Sequence, residues 1–242
     1  MRSVAFCLPY YMNQAMLDRQ IDSIAALPKQ LRDLMEMIIV DDGSPDKPQP
    51  SFRSPGCPLR IFRIAQDVPW NQDAARNIAA FEARARWLLL TDIDHLVPKD
   101  TWDALAKAKL NKENVYRFCK RKTLDRDGPK PKISEYKPHP NSWIMTRAMY
   151  WKIGGYDERF AGNYGTDGDF RDNILRHAKL ELIDLALWRV PRETIADAST
   201  TTLKRKDPAQ GAEIRRIKQQ RDQITDWQPL SLSFAYSLIE SC

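Results

Sequence analysis

The 242-residue sequence predicts an α/β fold with a mostly parallel sheet flanked by helices, and three observations predict it. Residues 3–8 and 35–40 are short apolar runs of strand length. Between them, Leu17, Ile21, Ile24 and Ala25 recur at helical spacing, so residues 12–26 read as an amphipathic helix. Strand, helix, strand is a right-handed crossover, which makes the two strands parallel. The alternation then continues, with apolar runs at 59–64, 87–91 and 115–119 and helical stretches at 71–83 and 99–109.

Taken in order, Pro9 stops the first strand and Pro28 follows the first helix. The second strand runs into Asp41-Asp42-Gly43-Ser44-Pro45, a turn in which glycine permits positive φ and proline presets the bend. Residues 47–58, rich in Pro and Ser, are a loop. Residues 120–141 carry four prolines, Gly128 and many charges, and read as a mobile loop or lid. Apolar character resumes at 143–145. A short helix at 146–153 is stopped by Gly154-Gly155, and a second helix covers 169–178. Residues 180–190 supply one or two more strands, 209–225 a surface helix, and 230–239 an apolar tail that docks on the body. The domain expectation is a body over 1–200, divided near 98, followed by a basic helical extension over 201–242.

Composition narrows the function. Apolar residues make up 43% of the chain, enough for a sizeable core. No apolar run reaches the length of a membrane span, and the opening residues do not have the pattern of a signal peptide, so a cytoplasmic location is expected. Cys7, Cys57, Cys119 and Cys242 are scattered, which argues against a zinc site or a disulfide framework. The net charge of +6 is uneven. Residues 117–137 hold eight Lys/Arg against three Asp/Glu, and 204–222 hold seven against three. Such stretches are either solvated faces or sites that attract phosphate-bearing partners.

Chemistry concentrates where the fourth strand ends, in Leu90-Thr91-Asp92-Ile93-Asp94-His95. Ligands of open α/β sheets sit outside the carboxyl ends of the strands. If the strand continues to Asp94, Asp92 and Asp94 point to the same side. Two adjacent carboxylates suit Mg²⁺ or Mn²⁺ carrying a phosphorylated ligand; the plainer alternative is one carboxylate capping a helix and one in solvent. The Asp41–Ser44 turn can accept hydrogen bonds from a base or ribose, or be only a turn. Arg76, in the helix that opens Asn71-Gln72-Asp73-Ala74-Ala75-Arg76-Asn77, can reach a phosphate or pair with the Asp-x-Asp, or sit on a capped surface helix. The glycine-rich run from Gly154 to Gly168 lets backbone approach a ligand closely. Within it, Asp167 opens a helix whose N-terminus favours an ionised carboxylate, suited either to general-base catalysis or simply to capping.

Together, Val-Asp-Asp-Gly-Ser, Ala-Arg-Asn, Thr-Asp-Ile-Asp and Gly-Gly-Tyr-Asp-Glu-x-Phe with a later Asp-x-Asp-Phe resemble the GT-A glycosyltransferases. The nearest pattern is the inverting family 2 type with a galactosyltransferase-like C-terminal segment. The resemblance covers most of residues 4–170. It implies a Rossmann-like mixed sheet and transfer of a hexose from a nucleoside diphosphate sugar, a UDP-sugar by preference, to an acceptor hydroxyl. It also implies residue roles. Pro9, Tyr10 and Asp41 or Asp42 would meet the nucleoside, with Arg76 and Asp92 toward the diphosphate. Asp94 and Asp92 would hold Mn²⁺ or Mg²⁺. Trp143, Gly154, Gly155 and Thr166 would shape the sugar and acceptor pocket, and Asp167 would be the base. Thr166 departs from the Glu-Asp usual in the family. Some relatives add a downstream histidine to the metal; of His95, His139 and His177, His95 is the candidate because it adjoins the motif. The acceptors in view are a glycan or lipid-linked glycan, a protein or small molecule, or a hydroxylated DNA base, with the basic 117–137 stretch and the basic tail as a peripheral contact to an anionic surface. The competing readings are a nucleotidyltransferase and a catalytically weak nucleotide-sugar-binding module.

Overall fold

The computed structural model describes residues 3–49, 54–125, 128–130, 138–199, 203 and 207–242. The chain opens with β1 (Val4–Tyr10), α1 (Gln14–Ala25), the single turn α2 (Lys29–Arg32) and β2 (Met35–Asp41). β3 (Leu59–Ile64), α3 (Gln72–Glu82), β4 (Trp87–Leu90), the two-residue β5 (His95–Leu96) and α4 (Lys99–Lys107) follow. The second half contains β6 (Asn114–Asp125), β7 (Gly128–Lys130), β8 (Trp143–Thr146), α5 (Arg147–Ile153), α6 (Asp167–His177), β9 (Lys179–Arg189), α7 (Pro208–Asp222) and β10 (Tyr236–Ser241).

Among the described residues these ten strands form one sheet in the order β10-β3-β2-β1-β4-β8-β6-β9-β5, with β7 paired to β6. β1 is parallel to both β2 and β4, and β2 is parallel to β3. β8 joins β4 antiparallel, and β6 runs parallel to β9. The sheet is therefore mixed and parallel at its centre, as expected. The strands bury both faces. Val4, Phe6 and Leu8 of β1 pack with Met16, Leu17, Ile21 and Ile24 of α1 and with Trp102 of α4. The alternate residues Ala5 and Cys7 face Ala74, Ala75, Ile78 and Ala79 of α3. Small side chains on both partners let α3 lie close to the sheet, which brings its polar residues to the strand ends.

Three expectations about elements change. β4 stops at Leu90, so Asp92 and Asp94 lie in a turn and do not share a face through strand periodicity. β6 extends to Asp125, well past Cys119, because β9 pairs with it from Asn114↔Lys179 to Thr123↔Arg189. The expected loop therefore begins as strand, while its residues 126–127 and 131–137 lie outside the described residues. The C-terminal extension is helical only over α7; β10 then pairs antiparallel with β3 and closes one edge of the sheet. Of its expected basic stretch, Lys204, Arg205 and Lys206 lie outside the described residues. No described helix is long and apolar enough to cross a membrane.

Candidate active site

β2, β1 and β4 are adjacent and parallel, so their carboxyl ends meet at one edge of the sheet. A cavity of about 560 Å³ opens there, a size suited to a small-molecule ligand. Pro9, Tyr10, Asp42, Asp92, Asp94, His95 and Asp167 line it. Asp167 and the Asp-x-Asp, 73 residues or more apart in sequence, thus face one space. Buried polar atoms without a partner among the described residues cluster in its wall: Asp42 Oδ1, Trp70 Nε1, His95 Nε2 and Asn141 Oδ1. Unsatisfied groups of this kind are expected where a ligand completes the bonding.

The turn carrying the Asp-x-Asp is fixed from below and beside. Gln20 of α1 is fully buried, and its Nε2 donates to the carbonyls of Ile93 (2.7 Å) and His95 (2.9 Å). Asp92 accepts from Arg76 Nη2 at 2.5 Å and lies 3.3 Å from His139 Nε2. Asp94 bonds His95 Nδ1 at 2.6 Å and lies 3.8 Å from Arg189. The two imidazole rings pack 4.0 Å apart. Burial raises the pKa of Asp92, and Arg76 opposes that rise. No three described His, Cys, Asp or Glu side chains form a metal-holding group.

Asp167 is the first residue of α6, with Thr166 at the cap position. Asn141 Nδ2 donates to Asp167 Oδ1 at 2.9 Å, which fixes the carboxylate toward the cavity. The Thr166 hydroxyl points the other way and donates to Asp73 at 3.2 Å. Asp73 in turn meets Arg76 Nη1 at 3.3 Å. Burial pushes the Asp73 carboxyl up to about 7, with Arg76 opposing.

The model of the glycosyl transferase family 2 matches residues 5–173, which include every group just described except Arg189. The chain belongs to glycosyl transferase family 2. Among curated relatives, a validoxylamine A glucosyltransferase of Streptomyces hygroscopicus subsp. jinggangensis is 25% identical over 81% of this chain and 57% of its own length. The enzyme of the same name from subsp. limoneus is 24% identical over 81% of this chain and 53% of its own. The family 2 chain thus spans little more than half of those relatives. Among solved structures, GalNAc-T7 with UDP, GalNAc and Mn²⁺ superposes with a TM-score of 0.61, at 14% identity, over 89% of this chain and 48% of the other. S. aureus TarS with UDP-GlcNAc gives 0.58 at 18% identity, over 83% and 62%. These likenesses show that the fold is the GT-A type.

Within this family 2 domain, several expected positions shift. Asp41 is fully buried and turned away from the cavity, accepting from Ser44 N at 2.9 Å and Arg63 Nη1 at 2.7 Å. Asp42 is the member of the pair that lines the cavity; it accepts from Asn71 N at 2.9 Å, and burial raises its pKa well above the usual carboxylate range. Gly43 follows the pair at φ +77°, and a Cβ there would meet the Gln66 carbonyl at 2.7 Å. Arg76 is 1% exposed and acts on Asp92 from behind the cavity wall. Trp143 is a core residue packed edge-on against Phe170, not a pocket wall. Gly154 and Gly155 also stand apart from the cavity. They end α5, and a Cβ on Gly155 would meet Asn77 Oδ1 at 2.7 Å.

Sequence reasoning weighed His139 only as a metal ligand and passed it over for His95, and it missed Asn141; the two lie in the Pro138-His139-Pro140-Asn141 stretch, with no periodicity to mark them. It also missed Trp70 and Tyr164, whose rings meet at 4.5 Å on the cavity wall. Trp70 has φ 58°, an unusual conformation for a bulky residue and the kind of outlier that collects at ligand sites.

Proposed function

We propose that the protein is a metal-dependent, inverting hexosyltransferase that uses a nucleoside diphosphate sugar, a UDP-sugar by preference, and an acceptor hydroxyl. The observation that carries this reading is that Asp167, Asp92 and Asp94 share one cavity. Pro9, Tyr10 and Asp42 hold the nucleoside; Asp42 takes this role because Asp41 is already engaged by Arg63 and Ser44. Two carboxylates, with no third His, Cys, Asp or Glu grouped with them among the described residues, fit Mg²⁺ or Mn²⁺, ions that are commonly held by one or two carboxylates together with substrate phosphates. Asp94, with Asp92 directly or through water, would hold such an ion, which would supply charge neutralisation for the departing diphosphate. His95 would reach such an ion only through Nε2, because its Nδ1 is bonded to Asp94.

Asp167, oriented by Asn141, accepts the proton of the acceptor hydroxyl. That oxygen forms its bond to C1 on the face opposite the leaving group, and the C1–O bond to the diphosphate breaks with its electron pair leaving on the diphosphate. One displacement through an oxocarbenium-like transition state inverts the anomeric centre.

A thermal-shift panel of nucleotide sugars with and without Mn²⁺ tests donor and metal together, since a ligand bound only to the native state raises the melting temperature. A metal-dependent shift with UDP-sugars is expected; no shift with any nucleotide sugar overturns the donor assignment. D167N should retain that shift while donor turnover falls by about 10²–10⁴, the usual contribution of a general base. Wild-type turnover in D167N removes Asp167 from its role.

A further inference from the structure

The cavity also holds charge that donor binding does not use. Arg117 of β6 and Arg171 of α6 both line it. Arg171 lies one helical turn beyond Asp167, on the same face of α6. Arg117 is half-buried, with its guanidinium 4.8 Å from the Trp143 ring. Its Nε and Nη2 donate to the His139 carbonyl at 3.1 and 3.0 Å, and Nη2 also lies 3.3 Å from the Pro138 carbonyl, which leaves Nη1 for a ligand. Among the described residues no carboxylate pairs with Arg117. The partner of Arg171 is its exposed neighbour Asp172, at 3.2 Å and off the cavity wall. By contrast, Asp92 and Asp94 are answered by Arg76, His95, His139 and Arg189. Burial and the charge of Arg171 both lower the pKa of Arg117, which marks a cation placed where a cation is unfavourable.

The placement indicates which substrate these arginines serve. The segment that holds Arg117 through the His139 carbonyl also holds Asp167 through the Asn141 amide. Both guanidinium groups are thus tied to the proton-accepting carboxylate and not to the Asp42 end of the cavity. Planar guanidinium groups match phosphate oxygens, and an anion between two like charges relieves their repulsion. We infer that the acceptor carries a phosphate ester beside the hydroxyl that receives the sugar, and that Arg117 and Arg171 bind that phosphate. This rests on the glycosyltransferase reading above, with Asp167 on the acceptor side.

Calorimetric titration of the full chain, saturated with UDP and Mn²⁺, tests it with sn-glycerol 3-phosphate and glycerol as paired probes. Glycerol 3-phosphate should bind and glycerol should not. In R117Q/R171Q the affinity for glycerol 3-phosphate should fall at least about tenfold, the scale of a lost charge-assisted contact. If the double variant folds poorly, R171Q alone, whose side chain is 49% exposed, should weaken binding about threefold or more. Equal binding of the two probes, unchanged affinity in the variants, or exclusion of glycerol 3-phosphate by UDP overturns the inference; the last result would assign the arginines to the donor's diphosphate. Failure of UDP itself to bind would strike the donor assignment and is seen separately when UDP with Mn²⁺ is titrated into the protein alone.

Discussion

Replacing Arg76 with methionine keeps an unbranched side chain in place and deletes the buried charge between Asp73 and Asp92. In the native protein Arg76 Nη2 bonds Asp92 at 2.5 Å and Gln72 at 2.7 Å, Nη1 lies 3.3 Å from Asp73, and the guanidinium lies 5.1 Å from the Tyr156 ring. Removing one member of a buried ion pair costs about 3–5 kcal/mol, because the surviving charge is left uncompensated. Of the two carboxylates that survive, Asp73, pushed up to about 7 even beside Arg76, can take up a proton near neutrality, and Asp92 keeps the His139 imidazole at 3.3 Å. With 242 residues, the unfolding entropy is about 0.5 kcal/mol/K near the midpoint, so R76M should melt about 6–10 °C below wild type. Differential scanning calorimetry at about pH 7 measures this, and the deficit should shrink as the pH falls toward about 5, because the stranded carboxylates can then protonate. Adding D92N to R76M removes one stranded charge and should recover at least about 2 °C. A single variant melting within about 2 °C of wild type, or a double variant less stable than the single one, would refute this account of the buried network.

Further outcomes follow from the same geometry. Asp73 has its pKa raised by burial from 3.8 to about 7, so its stabilising contribution is full below about pH 3.8 and is lost as the pH rises through about 7; wild type should lose stability relative to D73N between about pH 5 and pH 8, and a pH-independent difference in melting temperature would count against it. D42A should weaken UDP binding by about 10–100-fold in a calorimetric titration, whereas D41N, whose partners are Arg63 and Ser44, should lower the melting temperature and leave UDP affinity near wild type. Glu158 is buried and accepts from Asn77, Leu232 N and Ser233 N at 2.6–2.7 Å; E158A should cost about 2–4 kcal/mol and open residues 223–235 to limited proteolysis, and an unchanged cleavage pattern would show that this carboxylate does not anchor the tail.

How far the sequence could be read depended on burial. β1 to β4 are apolar runs bounded by Pro, Gly or charge, and a strand buried on both faces is legible in that form. β10 was not legible as a strand: Tyr236–Ser241 is an edge segment exposed along most of its length, and only its pairing with β3 makes it regular. Lys120-Arg121-Lys122 reads as loop because its residues are charged, yet β9 supplies a parallel partner through that stretch. At the site, Asp92, Asp94 and Asp167 were legible because each closes or opens an element. Their convergence was not, since Asp92 and Asp94 meet the cavity through a turn held by Gln20, a side chain with no local signature. Trp143 shows the opposite error: the resemblance implies a place in the sugar and acceptor pocket, and packing against Phe170 accounts for the residue.

The stretch whose reading changed most is the start of α3, because it links the other motifs. Asn71 donates its backbone N–H to Asp42 at the end of β2. Asp73 accepts from Thr166 beside Asp167, and Arg76 pairs with Asp92 beyond β4. Asn77 donates to the Tyr156 carbonyl and to Glu158, and its Oδ1 accepts from Tyr156 N and the Tyr150 hydroxyl. The Asp-Asp-Gly-Ser turn, the Asp-x-Asp and the glycine-rich run are thus each bonded to one of these residues, less than two helical turns from end to end. A helix can do this because α3 packs its alanines on the sheet and its polar first turns project past the strand ends. Every one of these polar side chains is at least 90% buried, so each bond is made where an unmet partner is costly. The spacing of the four motifs along the chain then has a physical origin. The loops between them can vary in length, whereas Asn71, through its backbone N–H, and Asp73, Arg76 and Asn77, through their side chains, must keep their offsets, because each offset selects the motif that residue holds.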